Sequence, residues 1–261
     1  MIRKSRAVLA MGLALFVGIS GVAIGGTTGA DNQVSTVTGQ VKPKALDKRQ
    51  FKRVNLTAGV TTLNEDETAD GTVPQQETVE VNIDFDKDIR FDLPAASRCD
   101  VDEAELAGTT NAQAEALCGS NSRISSDGDA AARFAGFPNP PFPNNEVSDF
   151  IVTAFRGNDG TEVILHAFSP TLGVDNTQVV RGTIEDSPLT GFKKRLAVPD
   201  VPPVAGGAGA LVRFFATISR DSKTVLARCR AADREFDFRA EFTYADNSME
   251  TASDTQGCTR R

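Results

Sequence analysis

The sequence predicts an all-β fold: an antiparallel, β-sandwich-like domain of about ten strands with a small disulfide-closed helical insert. Three observations predict it. Apolar and polar residues alternate in short runs along most of the chain, the period of strands with one buried face. Gly, Pro, Asn and Asp punctuate those runs at intervals typical of sandwiches and barrels. Too few helical segments separate them for a parallel βαβ sheet.

In chain order, Arg3, Lys4 and Arg6 precede an uncharged apolar run, Ala7–Ile24. A basic start feeding a short hydrophobic stretch is the pattern of a secretory signal peptide. Gly21-Val22-Ala23 and Thr28-Gly29-Ala30 both offer the small residues that cleavage requires, so cleavage after Ala23 or after Ala30 stays open. A spanning helix needs roughly 20 apolar residues. This run is shorter and carries Gly12, Gly18 and Gly21, so no stable membrane span is expected after cleavage. The chain divides into a signal peptide (1–30), a flexible leader (31–50) with almost no apolar periodicity, and a β-sandwich-like domain (51–261).

Within the domain, Val54, Leu56, Ala58 and Val60 alternate with polar or small residues, and Val79, Val81, Ile83 and Phe85 alternate with Glu80, Asn82, Asp84 and Asp86. The acidic run 64–71 reads as a loop. Phe150–Phe155 and Glu162–Phe168 are apolar on both faces, which predicts central strands whose second face is covered by something else. Asn158-Asp159-Gly160 between them favours a tight hairpin. Val212, Phe214, Ala216 and Ile218 share one face of a strand. Phe236, Phe238, Ala240, Phe242 and Tyr244 share a face of another, against Glu235, Asp237, Arg239, Glu241 and Thr243.

One segment breaks the pattern. Asp100 with Glu103, and Thr110 with Gln113, have the spacing of helix caps, and Gly119 follows as a stop. Cys99 and Cys118 flank this helical insert. Four cysteines allow three connectivities. Cys99–Cys118 would close the insert, and Cys229–Cys258 would pin the C-terminal strand to one beginning near Val225. Export out of the reducing cytoplasm favours disulfides, each worth about 3–4 kcal/mol in the chain-entropy model. No CxxC spacing points to a metal or redox site.

The chemistry-bearing residues are sparse. His166 is the only histidine and sits in the apolar run EVILHAF, with no GxSxG nucleophile elbow elsewhere. It reads as a hydrogen-bonded core imidazole. Asp84, Asp86, Asp88 and Asp92 resemble a calcium loop, but Ile89 and Ala95 stand where an EF-hand needs Gly and Glu, so they read as a solvated face. The run Gly206–Ala210 leads into a strand rather than a helix and lacks a lysine, unlike a phosphate loop. Asn55-Leu56-Thr57 is a glycosylation sequon placed inside a predicted strand. With no Trp and one Tyr beside 16 Phe, the chain is poor in the platforms that sugar clefts use. The stiff loop GFPNPPFPNN (136–145), carrying Phe137 and Phe142, is the first candidate contact surface.

The charge is acidic: 28 cations face 35 acids, and loss of residues 1–30 removes three cations and leaves a net charge of −10. Such a chain is a poor partner for nucleic acid or anionic lipid.

FDKDIRFDLP (85–94) with Cys99, ILHAFSP (164–170), VPPVAGGAGALVRF (201–214), Cys229, and FTYADNS (242–248) with Cys258 resemble a set of uncharacterised secreted β-rich proteins of high-GC Gram-positive bacteria. The resemblance covers about two-thirds of the chain and implies export, a β-rich body and two cysteine pairs. It carries no activity, ligand or catalytic residue.

The sequence therefore reads as a non-enzymatic secreted or cell-surface module, monomeric, without cofactor or metal ligands, with a binding or structural role toward a protein or cell-envelope partner. Two alternatives stand beside it: a carrier of an apolar molecule or lipid in a Phe-lined cavity, and a secreted hydrolase using dispersed carboxylates.

Overall fold

The structure is a computed structural model that describes residues 33–64, 77–134, 145–204, 206, 209–230 and 234–261. Its elements are β1 (Gln33–Lys42), β2 (Ala45–Leu46), β3 (Lys52–Arg53), β4 (Asn55–Asn64), β5 (Thr78–Asp86), β6 (Ile89–Phe91), α1 (Glu103–Leu106), α2 (Asn111–Cys118) and β7 (Ser125–Phe134). They continue with β8 (Glu146–Arg156), β9 (Glu162–Phe168), β10 (Gln178–Asp186), β11 (Phe192–Val198), β12 (Gly209–Ile218), β13 (Val225–Ala227), β14 (Glu235–Tyr244), β15 (Met249–Gly257) and β16 (Thr259–Arg260).

The all-β antiparallel body is present, and its two walls belong to one continuous sheet. Eleven of the described strands pair in the order β1-β4-β12-β7-β8-β9-β10-β11-β5-β14-β15, curled until it is nearly a barrel. Small sheets β3-β13-β6 and β16-β2 complete it. The alternating faces pack as their sequence indicates. Phe236, Phe238 and Phe242 of β14 form one apolar cluster against which Phe214 and Ile218 of β12 pack from across the interior.

The flexible leader expected over 31–50 is corrected by the structure, as is a domain start at Phe51. Gln33–Lys42 is a full strand, paired along its length with β4. Its inward positions are Ser35, Val37, Gly39 and Val41, all buried. Only two of the four are apolar, which hid the alternation. Gly39 is required because a Cβ there would lie 2.1 Å from the Phe238 ring.

An odd number of strictly antiparallel strands leaves the two edges, β1 and β15, running the same way. Their seam is closed by side chains. The backbone N–H groups of Ser35, Gly39 and Val41 donate to Glu250 (3.0 Å), Asp254 (2.9 Å) and Gln256 (2.5 Å), each pair 215 residues apart. The Gln256 amide also donates to the Val41 carbonyl at 3.3 Å, so one side chain imitates a strand partner. Tyr244 donates to Glu250 at 3.0 Å and also bonds Ser35. At the far end the backbone takes over, where β16 pairs in parallel with β2. These acceptors take up the Ser35, Gly39 and Val41 donors, which on an open edge would invite strand addition.

The disulfides Cys99–Cys118 and Cys229–Cys258 are formed. The second ties the chain just after β13 to the junction of β15 and β16, beside the seam.

Candidate functional site

Three places hold the residues that could carry chemistry: the face beneath the helical insert, the aspartate series of β5, and the interior.

The insert is what covers the outer face of β8 and β9. Leu106, Ala114 and the Cys99–Cys118 bridge pack on Phe155, Ile164 and Val179. Thr110 forms a reciprocal capping box with Gln113, and Gly119 ends α2 at φ 80°. The expected cap Asp100 is corrected to Asp102, which precedes α1 but makes no side-chain cap bond. Asn111 docks α2 by donating to the Ile151 carbonyl (3.1 Å) and the Thr153 hydroxyl (2.7 Å).

His166 lies under this insert with no exposure. Its Nε2 is 3.0 Å from the Thr109 hydroxyl, which itself donates to the Leu106 carbonyl at 2.6 Å. The hydroxyl proton is thus already used, so Nε2 carries a proton and donates it to the Thr109 hydroxyl. Burial pushes its pKa below the usual histidine value, with backbone neighbours partly opposing. Nδ1 is buried and makes no hydrogen bond in the structure. A base needs a proton to accept from a nucleophile in reach, and the hydroxyl bonded to His166, that of Thr109, already gives its proton to the Leu106 carbonyl. His166→Gln is expected to lower stability by about 1–3 kcal/mol through lost packing and bonding, read from thermal or denaturant unfolding.

Asp84 and Asp86 of β5 and Asp88 in the turn after it do not form a solvated face, whereas Asp92 is exposed. Asp84 has no exposure, Asp86 is 2 % exposed and Asp88 1 %. Asp84 accepts a two-pronged contact from Arg195 (2.9 and 3.0 Å) and a bond from Ser187 (2.7 Å), with Arg239 at 3.5 Å. Asp88 pairs with Arg228 at 2.8 Å and accepts from the Arg230 backbone at 3.2 Å. The reading failed because arginines on neighbouring strands and loops close over these carboxylates, which a one-strand pattern does not contain. Among the described residues no arginine forms an ion pair with Asp86. It accepts the Asp88 backbone N–H at 2.7 Å, and burial first, with the Asp88 charge adding, raises its pKa to about 6.

The interior holds an apolar cavity of about 50 Å³. Phe91, Leu165, Leu196, Phe214 and Ile218 are among its walls. Ala216 is another of its walls, and Ala240 is fully buried. At its start β12 has Gly209, where a Cβ would meet the Phe134 ring at 2.5 Å, so the glycine serves close packing. Asn55 of the sequon opens β4, and its side chain accepts the Arg220 N–H at 2.6 Å.

Phe137 and Phe142 lie outside the described residues. The sequence signalled the insert and both disulfides. It did not signal the seam, whose only trace is a polar inward row, Glu250, Asp254 and Gln256, in a strand with little apolar content. Compared with protein-family models, curated proteins and solved structures, the chain matches none.

Proposed function

We propose that the chain is an exported, non-enzymatic module that works through its outer surface, in a binding or structural role outside the cell or at its surface. The observation that carries this reading is the interior: a cavity of about 50 Å³, against the roughly 300 Å³ or more that a small-molecule pocket needs. The two disulfides agree with an oxidising compartment. The side-chain seam and the cross-bridges favour a rigid body over one that opens to load cargo.

A second reading, the carrier, draws on one observation: the cavity wall is apolar throughout. Native mass spectrometry of protein purified from its own culture medium separates the two. The expected species is the chain with two disulfides and no adduct, its mass also reporting cleavage after Ala23 or Ala30. A stoichiometric lipid or other apolar adduct would overturn the module reading. A turnover abolished in His166→Gln at unchanged melting temperature would overturn its non-enzymatic part.

A further inference from the structure

On the module reading, the remaining question is which outer surface recognises a partner, and charge singles one out. Although the chain is acidic overall, the end of the barrel built by β3-β13-β6 is basic. Register places Arg53 and Arg90 on either side of Leu226, and Arg220 and Lys223 come from the turn between β12 and β13. Lys52, Arg53, Arg90, Arg220 and Lys223 are all exposed. Among the described residues, no carboxylate forms an ion pair with any of these five. Arg228, by contrast, is spent on Asp88. Lys52, Arg53, Arg220 and Lys223 line an open hollow of about 620 Å³ together with Leu226, Phe51 and Asp221, its one acidic wall, and Arg90 stacks on the Phe51 ring.

We propose that this hollow docks a short acidic peptide segment of a partner protein, with an apolar side chain set between carboxylates. Among the described residues these cations have no carboxylate in an ion pair, Lys52 bonding the neutral Gln50 side chain at 2.9 Å, and Leu226 and Phe51 supply half-buried apolar surface, the anatomy of an interface with a small apolar centre and a charged rim. A purely charged polymer would leave Leu226 unused. A nucleobase or sugar ring would need a free aromatic face, yet the Phe51 ring already has the Arg90 and Arg228 guanidiniums at 4.0 and 4.4 Å from its centre. The net negative charge of the whole chain disfavours distant polyanions, but at contact the local charge decides, because screening confines exposed charges to roughly 8–10 Å.

The test is fluorescence anisotropy with the full mature chain and a fluorescein-labelled synthetic peptide alternating leucine with aspartate and glutamate. Binding is expected, weakened by salt. Arg53→Glu/Lys223→Glu is expected to weaken it by about tenfold or more at unchanged melting temperature, since both side chains are exposed. A peptide with Asn and Gln in place of its acids should not bind. Absence of binding, or indifference to the charge reversal, overturns the proposal. So does equal binding of the uncharged peptide, or inorganic polyphosphate binding as tightly as the acidic peptide, which would make the partner a non-peptide polyanion. None of these outcomes bears on the interior, which the adduct measurement tests separately.

Discussion

Replacing both Glu250 and Gln256 by alanine is expected to unfasten β1 and cost the fold about 3–6 kcal/mol. Each change strands a buried backbone donor, Ser35 N–H or Val41 N–H, which is worth about 1–3 kcal/mol apiece. Glu250 also accepts from Tyr244, whose hydroxyl is buried and whose pKa burial raises, so its removal takes away one of that hydroxyl's two partners and leaves it only Ser35. The sum is a large share of the 5–15 kcal/mol that holds a typical domain together. Denaturant unfolding reads the loss, and amide exchange locates it. The Ser35, Gly39 and Val41 amides should lose protection before those of β8 and β9. If β1 were a dispensable appendage, as its weak apolar pattern implied, both readouts would stay near the parent.

Asp86→Asn is expected to stabilise the protein above neutrality by about 3 kcal/mol, a figure set by a pKa near 6 against an ordinary 3.8. The direction follows from linkage. The folded state keeps the Asp86 proton to higher pH than the unfolded state does. Stability from this group is therefore greatest below about pH 4, declines as pH rises to about 6, and stays at its lower value above that. Asparagine still accepts the Asp88 N–H but has no charge to bury, so the variant lacks this decline. His166 contributes the opposite slope: its lowered pKa means stability is lost as pH falls below the ordinary histidine value. Because His166 is present in both proteins, the difference between variant and parent isolates Asp86. Unfolding free energies between pH 4 and 8 check it. A constant difference across that range would show that Asp86 is not held in its raised state.

What the sequence alone determined about this protein is everything encoded at short range. Alternation located the buried face of β14, where all five of its inward residues are buried, because period two is a property of one strand. The Thr110–Gln113 spacing located α2, because a cap lies within one helical turn. Apolarity on both faces of EVILHAF announced a covered strand, and cysteines flanking the only helical stretch announced what would be tied beside it. Only the tertiary structure decided how the sheet closes and what its polar residues meet. Ser35 and Gly39 look like leader residues until Tyr244 and Phe238 stand opposite them, some 200 positions later in the chain. Asp84 looks solvated until Arg195 and Arg239 arrive from two neighbouring strands. The basic end is likewise invisible in a net charge, since its cations come from three separated segments that the small sheet and the adjoining turn bring together. Local geometry is written in neighbouring residues, whereas the pairing of a buried donor, acceptor or charge is a property of the residues that folding brings to it.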